Sequence, residues 1–352
     1  MTSKRDKQVL GQKLLAAFRD AGAVEIAPDI LLPAESLLDL YGEDIRARAY
    51  VTADPIRGEM MLRPDFTVPV VQAHMENGAE PARYCYLGEV FRKQDMGDTR
   101  PENPRDNEYL QAGFELFSRE ASADAEIFAL FHRLLPPYGV RSETGDMGLL
   151  RDAVRGLPLP DPRRDALLHH IWRPVRFQRL LARFSTPAMA RDFPVTRASW
   201  AGLRSESEMV TRIARLRADA ATAPLPAIWS ERLDRLFAVR GPAPEALAAL
   251  RELVSDWPGI APAVERIETR FAAIADAGID PAQVVFDASH GRTTMEYYDG
   301  FTFSFLAGHP DWPPLATGGR YDALTAVLGK GRAIPAVGGI IRPGLLAELE
   351  AT

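Results

Sequence analysis

Residues 86–117 read YLGEVFRKQDMGDTRPENPRDNEYLQAGFELF. Apolar strand patterns at 83–92 and 109–117 enclose a stretch rich in Pro, Asp, Asn and Gly, the residues that end strands and favour turns. The pattern predicts an antiparallel hairpin with a long loop. In the second strand Tyr109, Gln111, Gly113 and Glu115 recur at every second position, which places them on one face of a sheet. Such a face makes a poor core, because buried amides and carboxylates need partners. It is either an exposed face or the floor of a site for a small zwitterion. In the second case carboxylates meet an ammonium, glycine gives clearance, and amide and phenol set orientation.

Upstream, GEMMLRPDFTVPVVQAHMENGA (58–79) reads as a strand, a turn around Arg63-Pro64-Asp65 and a helix from Thr67. Residues 6–21 put Val9, Leu10, Leu14, Leu15 and Phe18 on one helical face, with Gly22 as the stop. Residues 122–135 form a helix capped by Ser122. From 145 to 258 Leu- and Arg-rich helical pieces are broken by prolines, and strand signal returns at 282–289, 296–308 and 332–341. The closing GGRYDALTAVLGKGRAIPAVGGIIRPGLLAELEAT (318–352) reads as a glycine-lined turn, an apolar strand ending near Ile341 and a helix start. These runs predict an α+β fold whose mainly antiparallel sheet is flanked by helices. Residues 1–144 and 259–352 would form its core and 145–258 a helical insertion.

The 352 residues are 46% hydrophobic and 26% charged, normal for a globular protein. No apolar run approaches the roughly 20 residues of a membrane span, and the first residues enter a charged amphipathic helix pattern. The single cysteine, Cys85, rules out an intramolecular disulfide and a multi-cysteine zinc site, and the cytoplasm is the expected compartment. A net charge of −6 gives no general basic footprint for nucleic acid. The six histidines form no helical zinc pair, and there is no nucleophile elbow, phosphate loop or dinucleotide fingerprint. No cofactor and no metal are expected.

Four separated segments, in order, resemble the class II aminoacyl-tRNA synthetase core, specifically the histidyl-tRNA synthetase family. LRPDFT resembles its LRPE-x-T element, YLGEVFR…EYLQAGFELF its motif 2, EYYDGF its histidine signature, and GGRYDAL…PAVGGI the approach to motif 3. The departures matter as much. Gln94 stands where the synthetases carry an ATP-contacting glutamate, Leu345 where a motif 3 arginine clamps the phosphates, and Gly344 where a glutamate precedes it. Arg342 lies three residues earlier, roughly 10 Å away in extended chain. Counting back from Glu296, the histidine-specific arginine falls on Thr293, with Arg292 one position off. The chain also stops where a synthetase would continue into an anticodon-binding domain.

A retained amino-acid floor without the phosphate clamp is similar to the regulatory subunits of ATP phosphoribosyltransferase, noncatalytic paralogues of the synthetase. That resemblance implies the short-form catalytic subunit as partner, a homodimer within a hetero-oligomer, and L-histidine as ligand. Asp65, Thr67 and Gln111 would face the α-amino group, Glu115 and Tyr298 the imidazole and pocket wall, and Arg92 with Arg292 the carboxylate, with Tyr297 also among the histidine-binding residues. A histidyl-tRNA synthetase-like amino-acid-activating ligase is the alternative, with Arg292 and Arg342 as its clamps.

Overall fold

The computed structural model describes residues 2–40, 42–93, 107–188, 203–292, 296–309 and 312–351. Helix α1 (Lys4–Asp20) leads into β1 (Val24–Glu25), β2 (Leu31–Pro33), α2 (Ala34–Leu37), α3 (Gly42–Arg48), β3 (Val51–Asp54) and β4 (Gly58–Leu62). Helix α4 (Thr67–Asn77) precedes the long pair β5 (Ala82–Phe91) and β6 (Glu108–Phe117), followed by α5 (Ala123–Leu134) and β7 (Arg141–Asp146). Helices α6 (Met147–Arg155), α7 (Asp161–His169), α8 (Pro174–Phe184), α9 (Glu206–Ala221) and α10 (Ala227–Phe237) come next. Strand β8 (Arg240–Pro242), α11 (Ala243–Asp256), α12 (Ala261–Asp276), β9 (Val284–Asp287) and β10 (Phe301–Leu306) follow. The chain then adds β11 (Ala316–Arg320), α13 (Asp322–Leu328), β12 (Ala336–Ile341) and α14 (Pro343–Glu350).

Among the described residues a nine-stranded sheet runs β1-β5-β6-β12-β11-β10-β7-β9-β8, beside a three-stranded sheet β2-β4-β3. Only the β1/β5 and β7/β9 pairs of the large sheet are parallel. The expected hairpin strands are present and antiparallel, with Tyr86 opposite Gly113 and Tyr84 opposite Glu115; the loop lies mostly outside the described residues. Alternation along β6 divides its side chains between two cores. Ala112, Phe114 and Leu116 join Phe18, Phe128 and Phe131 of α1 and α5 on one face, where Cys85 is also buried. On the other face Phe117, Tyr86 and Val90 meet Phe66 just before α4, Val70 and Val71 of α4 and Leu324 of α13.

Several local expectations change. Val9 is 49% exposed, and the buried stripe of α1 is Leu10, Leu14, Leu15 and Phe18. Ser122 makes no side-chain capping bond. Gly318-Gly319-Arg320 is strand β11 rather than a turn, because it is paired on both edges, to β10 and β12. Within the stretch read as helical, β8 pairs with β9 at the sheet edge. No helix among the described residues is long and apolar enough to cross a membrane.

Candidate functional site

The site grows from the β6 face turned toward α4. Glu115 is fully buried there, and both of its oxygens are engaged. Its Oε1 accepts the Thr67 hydroxyl at 2.8 Å and the Tyr86 hydroxyl at 2.9 Å, and its Oε2 accepts the Tyr321 hydroxyl at 2.5 Å. Two glycines make the space. A Cβ on Gly113 would fall 2.2 Å from Tyr86 Cζ, and one on Gly338, opposite Glu115 on β12, would fall 1.6 Å from Glu115 Oε2.

A second carboxylate sits on the turn before α4. Asp65 accepts the Tyr297 hydroxyl at 2.9 Å through Oδ2 and the Val68 amide at 3.4 Å through Oδ1, so the same group caps the helix. Phe66 stacks on Tyr86 with ring centroids 4.3 Å apart. Tyr297 meets Tyr298 edge-on at 5.0 Å and Tyr321 at 6.2 Å. Two carboxylates are thus enclosed by four tyrosines and a threonine hydroxyl.

Of the residues expected at the site, Asp65, Thr67, Glu115 and Tyr297 lie in this group through direct bonds, and Tyr298 joins by ring contact. Gln111 is on the same strand face, 2% exposed, and its Oε1 is buried without a hydrogen-bond partner among the described residues. Arg92 borders the turn: its Nε donates to the Pro64 carbonyl at 2.8 Å and its guanidinium lies 5.9 Å from the Tyr109 ring centroid. Arg292 is placed elsewhere. Its Nε donates to the Ile171 carbonyl at 3.1 Å, and its guanidinium lies over the Phe177 and Phe237 rings of α8 and α10. Burial in that apolar slot pushes it down to about 10.

At the start of α14 stand Pro343, Gly344 and Leu345, none of them charged. Arg342 precedes the helix and donates to the Pro314 carbonyl. Burial, then the Glu115 and Asp65 carboxylates, push the Tyr298 hydroxyl well above its ordinary value, while the charges of Arg342 and Arg92 pull the other way. Gln94 and Thr293 lie outside the described residues. Tyr86, Tyr321 and Gly338 were not anticipated. All three nonetheless fall within the segments YLGEVFR, GGRYDAL and PAVGGI that carry the resemblance, and TGGRYD offered an aromatic and glycines.

Burial dominates the electrostatics of Glu115. Burial pushes Glu115 from an ordinary 4.5 up to about 7, although three hydroxyls donate to it. Between those values the folded protein holds a proton that the unfolded chain releases, so stability from Glu115 is fully present below about 4.5 and lost as pH rises through 7. The loss amounts to roughly 3 kcal/mol at most, since each unit is about 1.36 kcal/mol. Denaturation measured from pH 4.5 to 8 should show this slope in the native protein and lack it in Glu115→Gln. Among the described residues no three His, Cys, Asp or Glu groups are placed to hold a metal ion.

The sequence matches the histidyl-tRNA synthetase family over residues 2–193 and 209–343. An ATP phosphoribosyltransferase regulatory subunit from Allorhizobium ampelinum is 31% identical, over 92% of this chain and 93% of its own. One from Agrobacterium fabrum is 33% identical, over 93% and 92%. A solved structure from Bacillus halodurans, described as an ATP phosphoribosyltransferase regulatory subunit/histidyl-tRNA synthetase, superposes with a TM-score of 0.71 at 20% identity, covering 99% of this chain and 81% of that one. A histidyl-tRNA synthetase from Nostoc sp. does so with a TM-score of 0.66 at 16% identity, over 99% and 72%. The structures establish the class II synthetase-like fold, and the sequences narrow the kinship: the chain belongs to the histidyl-tRNA synthetase family, on the branch of the ATP phosphoribosyltransferase regulatory subunits.

Proposed function

We propose that this chain is a noncatalytic subunit that senses L-histidine for a short-form ATP phosphoribosyltransferase catalytic subunit, in the first step of histidine biosynthesis. The observation that carries this reading is the start of α14, where Pro343, Gly344 and Leu345 offer no positive charge. Amino-acid activation needs cations fixed on the transferring phosphates, and loss of one such contact costs roughly 3–4 kcal/mol of barrier by analogy with an oxyanion donor. Arg292, the other arginine a ligase would call on, is held in the Phe177/Phe237 slot.

What the site retains suits recognition of a cationic amino acid. Asp65 supplies a carboxylate, Glu115 a carboxyl that burial keeps protonated up to about 7 and that an arriving cation would ionise, the Gln111 oxygen an acceptor in want of a donor, and Arg92 stands beside the turn for a carboxylate. ATP and phosphoribosyl pyrophosphate bind the partner. The working assembly is a cytoplasmic hetero-oligomer built on a homodimer of this chain. Feedback requires that histidine bind one conformation of that assembly more tightly than the other.

Calorimetry with the purified chain should show histidine binding, and Asp65→Asn should weaken it by 10- to 150-fold, the effect of about 1.5–3 kcal/mol for a hydrogen bond to a charged group. Phosphoribosyltransferase activity should appear when the short catalytic subunit is added and fall on histidine titration. Histidine-dependent exchange of pyrophosphate into ATP would instead establish a ligase.

A further inference from the structure

We infer that Arg173, in the helical segment, is a positioning residue for the ligand-facing tyrosines, acting through Glu296. Tyr297 and Tyr298 belong to no strand; they lie on the connection between β9 and β10. Tyrosines on a connection hold a fixed geometry only if something outside it fixes the backbone.

Beyond Tyr298 the connection is tied by Asp299, whose amide donates to the Arg320 carbonyl and whose carboxylate accepts the Asp322 and Ala323 amides; just before Tyr297 the tie is an ion pair. Arg173 Nη2 donates to both Glu296 oxygens, at 3.1 and 3.0 Å, with the two side chains only 15% and 18% exposed. Charge-assisted contacts of this kind, largely out of water, are the strong members of their class. Arg173 is itself fixed: its amide donates to the His170 carbonyl at 2.9 Å, and Phe177 of the helix it precedes is fully buried. On the other side of the connection, Arg292 donates to Ile171 and lies over Phe177. Both attachments therefore run to residues 171–177, separated from the connection by 123 and 121 positions in sequence. One residue beyond Glu296, Tyr297 reaches Asp65. Releasing Glu296 loosens the tyrosine pair on its leading side, while the Asp299 contacts hold the trailing side.

For its ligand readout this inference rests on the histidine pocket proposed above, so the test has two readouts. L-histidine affinity is measured by calorimetry, and amide hydrogen exchange over residues 296–300 by mass spectrometry without ligand. The proteins compared are wild type, Arg173→Ala, Glu296→Ala, the double alanine variant, and the swapped pair Arg173→Glu with Glu296→Arg. Each single variant is expected to raise the histidine Kd about tenfold and to speed exchange at 296–300 while α8 keeps its protection. The double variant should be no worse than either single one, and the swap should recover most of both losses. Unchanged Kd and exchange in the single variants, or a swap that recovers neither, would overturn the inference. If wild type binds no histidine, the pocket reading falls separately, and the exchange rates alone decide the role of Arg173.

Discussion

Asp124→Ala should lower the unfolding free energy by about 4 kcal/mol, the cost of breaking a buried ion pair from one side. Asp124 accepts Arg270 Nε at 2.8 Å through Oδ2, and Arg320 Nη2 and Nε at 2.7 and 2.9 Å through Oδ1. Arg270 continues to Asp146 at 2.9 Å, and Arg320 to Asp322 at 3.2 Å. Burial opposes the charge of Asp124, but the two guanidinium groups outweigh it and hold the carboxyl below the usual carboxylate range. Its contribution is therefore present above the unfolded value and is lost as pH falls through the lowered folded value. Urea denaturation at pH 7 checks the loss, and Asp124→Asn should fall between the two because it keeps an acceptor. Histidine affinity should drop as well, since Arg320 immediately precedes Tyr321, whose hydroxyl holds Glu115. An unfolding free energy within about 0.5 kcal/mol of wild type would mean that Asp146 and Asp322 suffice.

Gly338→Ala should abolish ligand binding. The added Cβ would lie 1.6 Å from Glu115 Oε2 and 2.8 Å from the Phe114 carbonyl oxygen. An exposed carboxylate could swing aside, but this one is held by Thr67, Tyr86 and Tyr321. The methyl must therefore break those hydrogen bonds or push β12 from β6. Overpacking typically costs about 1–3 kcal/mol, and a collision with a carboxyl held by three hydroxyls belongs at the upper end. Expected results are a lower denaturation midpoint and a histidine Kd raised at least a hundredfold, read by calorimetry on protein whose circular dichroism matches wild type. A paired Gly338→Ala/Glu115→Gly variant, which removes the obstructing carboxylate, should regain most of the stability and none of the binding.

Much of this architecture could be read in the chain because alternation reports strand faces directly. Tyr109, Gln111, Gly113 and Glu115 share one face of β6, and the turn at Asp65 precedes a helix that begins at Thr67. What the sequence hid is mostly long-range pairing. Tyr86 reaches Glu115 through the β5/β6 register, which a two-residue turn would fix but a loop of this length leaves free. Gly318 and Gly319 read as a turn because glycine weakens strands. Here the missing side chain lets β11 pass close to β12, with a Cβ on Gly318 falling 2.3 Å from the Gly338 carbonyl oxygen. Arg270 and Arg320 stand 146 and 196 positions from Asp124, beyond any local pattern. Arg292 shows the limit of counting motif spacings. The offset of one residue from the family position leaves it facing Phe177 and Phe237 rather than the carboxylates.

The pairing of β6 with β12 joins strands made far apart in time. Glu115 leaves the ribosome roughly 220 residues before Gly338, an interval of about 10–45 s at ordinary rates of translation. Until then the inner edge of β6 has no neighbour, and Glu115 faces water instead of the Tyr321 hydroxyl. Nascent chains must carry this open edge through most of their synthesis, the condition under which strands recruit one another. The carboxylate dries out only with the arrival of the last strand, so the Glu115 pocket and the finished sheet come into being in the same event.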